Sequence, residues 1–132
     1  MHATPDGPVI LVVPAEPSFL RLVRLVVSAL AADLGFDFEQ VEDLRIAADE
    51  LVSVLIGATF ASSPVSVTLT TDGDVLSLAA IAAAGEETTA DLDPLASQIV
   101  EAVVESFTVQ VTADVVSVGF RSRSPGGAAR VA

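Results

Sequence analysis

The stretch EDLRIAADELVSVLIG, residues 42–57, decides how the chain folds, because its apolar residues fall on two sides of one helix. Leu44, Ala48, Leu51, Val52 and Leu55 recur at helical spacing and make one continuous stripe. Ile46, Glu50 and Val54 run four apart down another side. The first stripe calls for a sheet to bury it. The second sets Ile and Val around a carboxylate on a face that a water-soluble helix ordinarily leaves polar.

The segments on either side supply that sheet. Upstream, PVILVVPA (8–15) is a β-branched run closed by Pro14, which predicts a short first strand. EPSFLRLVRLVVSALAADLG (16–35) predicts a helix, with Pro17 near its start, Phe19, Leu22, Val23, Val26, Leu30 and Leu34 on one side, and Gly35 as its stop. The two-sided helix is expected over 39–57, with Gly57 at a left-handed cap.

Downstream the period changes to two: PVSVTLTT (64–71) alternates Val65, Val67 and Leu69 with Ser66, Thr68 and Thr70. The Asp72-Gly73 pair suits a tight hairpin into VLSLAAIAA (75–83). An acidic loop (85–93) leads to a third helix over PLASQIVEAVVES (94–106), with Leu95, Ile99, Ala102 and Val103 in register. Two strands close the chain, FTVQVTA (107–113) and DVVSVGFRS (114–122).

The order β-α-α-β-β-α-β-β predicts an α/β (α+β) two-layer sandwich, with a mixed sheet covered by helices on one face only. A single domain is expected over 8–122, with disordered tails at 1–7 and 123–132. The hydroxyl-rich outer face of the sheet reads as solvent exposure.

Composition narrows the function. The 132 residues are 52% hydrophobic, enough for a real core. There is no cysteine, and the one histidine, His2, stands beside the initiator Met, which argues against thiolate or His-based metal sites and a Ser-His-Asp triad. Net charge is −12, from 18 acids against six arginines and no lysine, so nucleic acid is a poor ligand and a protein partner with basic patches a better one. The most apolar run (19–32) is shorter than the roughly 20 residues that span a bilayer and carries Arg21 and Arg24. MHATPDGP lacks a basic region leading into an apolar stretch. The expectation is a cytoplasmic protein with no membrane association.

VVPAEPSFLRLVRLVVSAL, VEDLRIAADELVSVLI, the hairpin and the last strand pair together resemble the RsbW-type anti-sigma factors, serine-protein kinases of the GHKL (histidine-kinase-like) ATPase superfamily, over about residues 9–122. The resemblance implies the Bergerat ATPase fold and a partner-switching role in bacterial stress-response transcription. It also implies a Glu-x-x-x-Asn motif on the second long helix, whose Asn binds the Mg²⁺ bridging the nucleotide phosphates. Here that motif is Glu50-Leu51-Val52-Ser53-Val54, and valine has no oxygen to offer a hard cation. The family's Asp-x-Gly-x-Gly motif, whose Asp recognises adenine, corresponds to Ala83-Ala84-Gly85-Glu86-Glu87, where only Gly85 matches. Where a glycine segment should cradle phosphates, EETTADLDPL (86–95) has no glycine but carries Glu86, Glu87, Asp91 and Asp93, with Glu50 as a further acid. Negative charge at that place opposes phosphate by about 1 kcal/mol or more per close pair. The resemblance thus implies a degenerate pocket formed by Ile46, Glu50, Val54, Ala83, Gly85 and Glu87.

Each candidate residue has a plain alternative. Glu50 is a catalytic base only if the site is active; otherwise it is a remnant of the fold or a solvated helix acid. Asp49, Asp91 and Asp93 match no calcium loop and read as solvated acids. Arg21 and Arg24 are either a contact for an acidic partner surface or two surface arginines bridging to nearby acids. Leu20 and Leu25 beside them suggest an interface or simply exposed leucines.

The expected function is a regulatory protein-binding domain that resembles an anti-sigma factor, binds no ATP, and sequesters a sigma factor or binds an anti-sigma antagonist. No cofactor or metal is expected. An active kinase using Mg-ATP through an atypical site, and a structural or dimerisation module with a closed pocket, are the alternatives. A homodimer is compatible with each.

Overall fold

The computed structural model describes residues 7–85 and 88–125. Strand β1 (Val9–Pro14) is followed by a single 3₁₀ turn (Pro17–Phe19) and the helices α1 (Leu20–Asp33) and α2 (Phe38–Ala58). Then come β2 (Pro64–Asp72), β3 (Val75–Ala83), α3 (Pro94–Val103), β4 (Ser106–Val111) and β5 (Val115–Arg123).

Local chemistry sets the ends of these elements. Gly35 follows α1 at φ +89°, a conformation open to glycine at little cost. Asp37 opens α2 with a capping box: its side chain accepts from the Gln40 backbone N–H at 2.8 Å, and the Gln40 side chain accepts from the Asp37 backbone N–H at 2.8 Å. Gly57 does not cap α2. The helix runs one residue further, to Ala58, and ends where Thr59 turns extended and its hydroxyl donates to the Ala83 carbonyl at 2.6 Å. Asp93 caps α3 by accepting from the Ala96 N–H at 2.8 Å, ahead of Pro94 in the first turn. Gly73 at φ +62° turns the β2–β3 hairpin, with Asp72 paired to Val75.

The sheet order is β1-β2-β3-β5-β4, and every pairing is antiparallel. A mixed sheet was the expectation, and two features of the chain path correct it. The two helices after β1 form an antiparallel pair, so the chain enters β2 at the end where it left β1, and Pro14 pairs with Pro64. β3 and β4 share a direction, as a crossover helix requires, but β5 inserts between them. The α+β two-layer architecture and the element order stand.

Helices cover one face. The first stripe of α2 does what its spacing implied: Leu44, Ala48, Leu51, Val52 and Leu55 are all fully or nearly fully buried, in one core with Leu76 and Leu78 of β3 and Val116 and Val118 of β5, the strands that α2 lies over. Each such leucine contributes roughly 1.5–3 kcal/mol of burial free energy. On α3 the buried positions are Ala96 and Val100, whereas Leu95 is exposed. Where a tail was expected from residue 123, Arg123 still belongs to β5, its guanidinium donates to Asp74 at 2.7 Å, and the Ser124 N–H donates to the Asp74 carbonyl at 2.7 Å.

Candidate functional site

Two places on the helical layer are candidates. The first is the expected nucleotide pocket. Successive residues of a helix turn by about 100°, so Ile46, Glu50 and Val54 occupy the flank of α2 opposite the side bearing Arg45 and Asp49. Ile46 is exposed, and Glu50 and Val54 are half-buried. Ala83 does not join them. Its neighbours Ala82 and Ala84 are buried toward the helices, so by strand alternation Ala83 looks out of the opposite, open face of the sheet.

Gly85 lies at the end of this strand, where its N–H donates to the Thr88 hydroxyl at 2.6 Å. A Cβ added to it would meet Thr88 Oγ1 at 3.4 Å and the Phe60 ring at 3.5 Å, both ordinary contacts, and its φ is not positive. The glycine therefore answers no steric demand from its protein neighbours. Glu87, with Glu86, falls outside the described residues. Val54 offers no oxygen to a hard cation, Ala83 faces the other layer, and the Phe60 ring packs beside Gly85, so these side chains do not converge on one oxygen-rich site.

The remaining acids do not converge either. Asp93 is engaged as the α3 cap, Asp91 is exposed, and Asp49 lies on the α1 side of α2. Among the described residues no group of three or more His, Cys, Asp or Glu side chains is arranged to hold a metal ion.

The second place is a cleft of about 480 Å³ between α1 and α2, lined by Arg21, Arg24, Leu25, Ser28 and Arg45. Three of the chain's six arginines thus border one cleft in a protein of net charge −12. Spacing of three on α1 sets Arg21 and Arg24 on one side, and Ser28 continues the row, its hydroxyl donating to the Arg24 carbonyl at 2.7 Å. Arg45 enters from α2 and donates to Glu42 at 2.7 Å. Leu25 is 65% exposed, whereas Leu20, expected beside it on the surface, is half-buried and packs against the core.

Asp49 supports the cleft from beneath. Its Oδ1 lies 3.4 Å from Arg24 Nε, an ion pair without hydrogen-bond geometry. Burial pushes the Asp49 carboxyl above the usual carboxylate range, against the pull of Arg24 and Arg45. Arg24 Nε, Arg45 Nε and Asp49 Oδ1 are each buried without a hydrogen-bond partner, so the cationic rim is not internally satisfied. Sequence reasoning missed Arg45, and it read Asp49 as a solvated acid where the structure pairs it with Arg24. Their spacing of four on the side of α2 away from Glu50 is the signal that would have found them.

No family model matches the chain. Its curated relatives include the serine-protein kinase RsbW of Bacillus velezensis, 42% identical over 38 residues, which is 29% of this chain and 24% of that protein. The serine-protein kinase RsbW of Listeria monocytogenes is 39% identical over 51 residues, 39% of this chain and 32% of that protein. The matched stretches thus span about a quarter to a third of those relatives. Among solved structures, that of the RsbU and RsbW domains of Rv1364c from Mycobacterium tuberculosis covers 90% of this chain and 33% of its own, with a TM-score of 0.69 at 18% identity. That likeness is one of fold.

Proposed function

We propose, for a chain whose sequence and fold support an RsbW-type anti-sigma factor family, that this domain is a regulatory binding module working by occupancy, without nucleotide chemistry. It sequesters a protein partner, a sigma factor or an anti-sigma antagonist, through the α1–α2 cleft. The observation that carries this reading is the convergence of Arg21, Arg24 and Arg45 around exposed Leu25, with two guanidinium nitrogens left unsatisfied. Arginine is enriched at protein interfaces, Leu25 adds apolar area between the guanidinium groups, and an acidic segment complements them.

The other half of the reading is the loss of nucleotide binding. It is supported by Val54 in place of an oxygen donor and by the outward turn of Ala83. Without a bound nucleotide to bias the protein, partner exchange is governed by affinity and competition alone. Calorimetric titration with Mg-ATP tests this directly. No heat is expected at millimolar nucleotide; saturable binding in the micromolar range would overturn the reading and make Glu50 a catalytic candidate.

A further inference from the structure

The α1–α2 cleft carries more donor capacity than the protein itself uses. Each guanidinium group offers about five N–H donors. Among the described residues, those of Arg21, Arg24 and Arg45 together make one side-chain hydrogen bond, from Arg45 Nη1 to Glu42. Arg24 has the 3.4 Å approach of Asp49, and no described acid pairs with Arg21. Arg21 stands, moreover, in the first turn of α1, where the field of the helix disfavours a cation and no acidic side chain offsets it. An anion seated in the cleft is bordered by all three cations.

The acids already present decide which anion gains most. Glu42 and Asp49 are set against the three arginines, and Glu42 holds Arg45 directly. A carboxylate that replaces Glu42 exchanges like for like, and one guanidinium fork satisfies its two coplanar oxygens. A phosphoryl group brings a charge of about −1.5 to −2 at neutral pH and three strong acceptor oxygens. Donors arrive here from two helices, Arg21 and Arg24 from α1 and Arg45 from α2, an arrangement that suits a tetrahedral group better than a planar one. Glu42 can yield its place, since its side chain is 42% exposed and an exposed pair of this kind contributes little. The cleft, at about 480 Å³, has room for more than a bare ion and lies within the range of roughly 300–1,000 Å³ that small-ligand sites occupy. Exposed Leu25 gives its wall an apolar surface for an organic body.

We propose that the cleft binds a small phosphate monoester, with the phosphoryl group among Arg21, Arg24 and Arg45, the organic body against Leu25, and Glu42 displaced from Arg45. This rests on the reading of the cleft as the partner-binding site and adds a second ligand to it. A phosphate ester and an acidic protein segment need the same arginines, so each excludes the other. In a module that works by occupancy, such competition lets a soluble ligand release the protein partner.

Magnetic-resonance titration of the full chain at low salt, following the arginine Nε–H and Leu25 methyl signals, tests the proposal with phenyl phosphate, benzoate and inorganic phosphate as probes. Phenyl phosphate is expected to saturate in the millimolar range or below, at roughly a tenth of the benzoate concentration, for its added charge and acceptor oxygen. Glu42→Gln frees Arg45 and is expected to tighten phenyl phosphate several-fold, a gain that damage to the fold does not produce. Arg45→Ala is expected to weaken it roughly tenfold, the loss of one charge-assisted contact. Glu101→Gln removes the same charge from an exposed position on α3 and is expected to change nothing; a gain equal to that of Glu42→Gln would mean that net charge is read, and overturns the site. Benzoate binding as tightly as phenyl phosphate overturns the phosphoryl assignment and leaves the cleft an anion site. No shift with any probe overturns the reading of the cleft as well. Inorganic phosphate matching phenyl phosphate overturns the contact with Leu25, and a phosphoserine peptide binding more tightly than phenyl phosphate moves the phosphoryl group from a small molecule to a protein segment and overturns the free ligand.

Discussion

Asp49 shows how one side chain links the two long helices to pH. Its carboxyl is raised above 3.8 by burial, with Arg24 and Arg45 opposing. Between the unfolded value and the raised folded value, the native state therefore binds more protons than the unfolded state. Stability from this group is present at lower pH and is lost as pH rises through that interval. Asp49→Asn removes the titration. Urea unfolding across that interval is expected to show the wild type losing stability relative to Asp49→Asn as pH rises, with a constant difference above it. Parallel curves throughout would mean that Asp49 is solvated in the folded protein. The same residue orients Arg24 at the cleft, so the variant is also expected to alter partner binding at neutral pH without unfolding the domain.

At the level of elements, caps and close approaches carry energy that composition does not reveal. Asp37→Ala removes the capping box of α2, the helix at the centre of the helical layer, and is expected to cost about 1 kcal/mol in chemical unfolding. Gly119→Ala is expected to cost more, about 1–3 kcal/mol, because its Cβ would lie 2.8 Å from the Leu78 carbonyl oxygen, and paired backbone cannot easily yield. If Gly119→Ala proves neutral, β3 and β5 are further apart than described. The helical spacing of Leu44, Leu51 and Leu55 and the alternation of Val65, Val67 and Leu69 were enough to place α2 on the sheet, because periodicity reports which face is buried. The parity of Ala83 was not legible: a run of alanines, Ala79 to Ala83 broken only by Ile81, has no contrast between its two faces. Gly57 misled for a related reason, since a glycine marks a cap only where nothing else stops the helix, and here Thr59 does so through a long-range bond. Arg45 was hidden because a cleft between helices depends on how they cross, which neither helix encodes alone.

Across the whole molecule, charge is the dominant asymmetry. Eighteen acids against six arginines leave a shell of like charge, while three arginines gather at the α1–α2 cleft and Arg121 and Arg123 lie on β5. Compact folding brings these acids together, so self-repulsion lowers stability at low ionic strength. Screening shortens the reach of that repulsion from about 30 Å at 0.01 M salt to about 10 Å at 0.1 M. Sodium chloride is the right probe, because sulfate would also strengthen apolar burial and confuse the two effects. A rise in Tm of about 3–5 °C, corresponding to ~1 kcal/mol in a domain of this size, is expected over that range. Arg24→Glu removes a cation and adds an acid beside Asp49, so its Tm should start lower and climb further with salt than that of the wild type. Binding of an acidic partner at the cleft should move the other way, weakening as salt screens the arginines. Opposite salt responses for folding and for binding are what a strongly acidic domain with a cationic cleft requires. A Tm that is flat in salt would mean that the acids are spaced widely enough to ignore one another, and the cleft's arginines would then owe their place to packing rather than to charge.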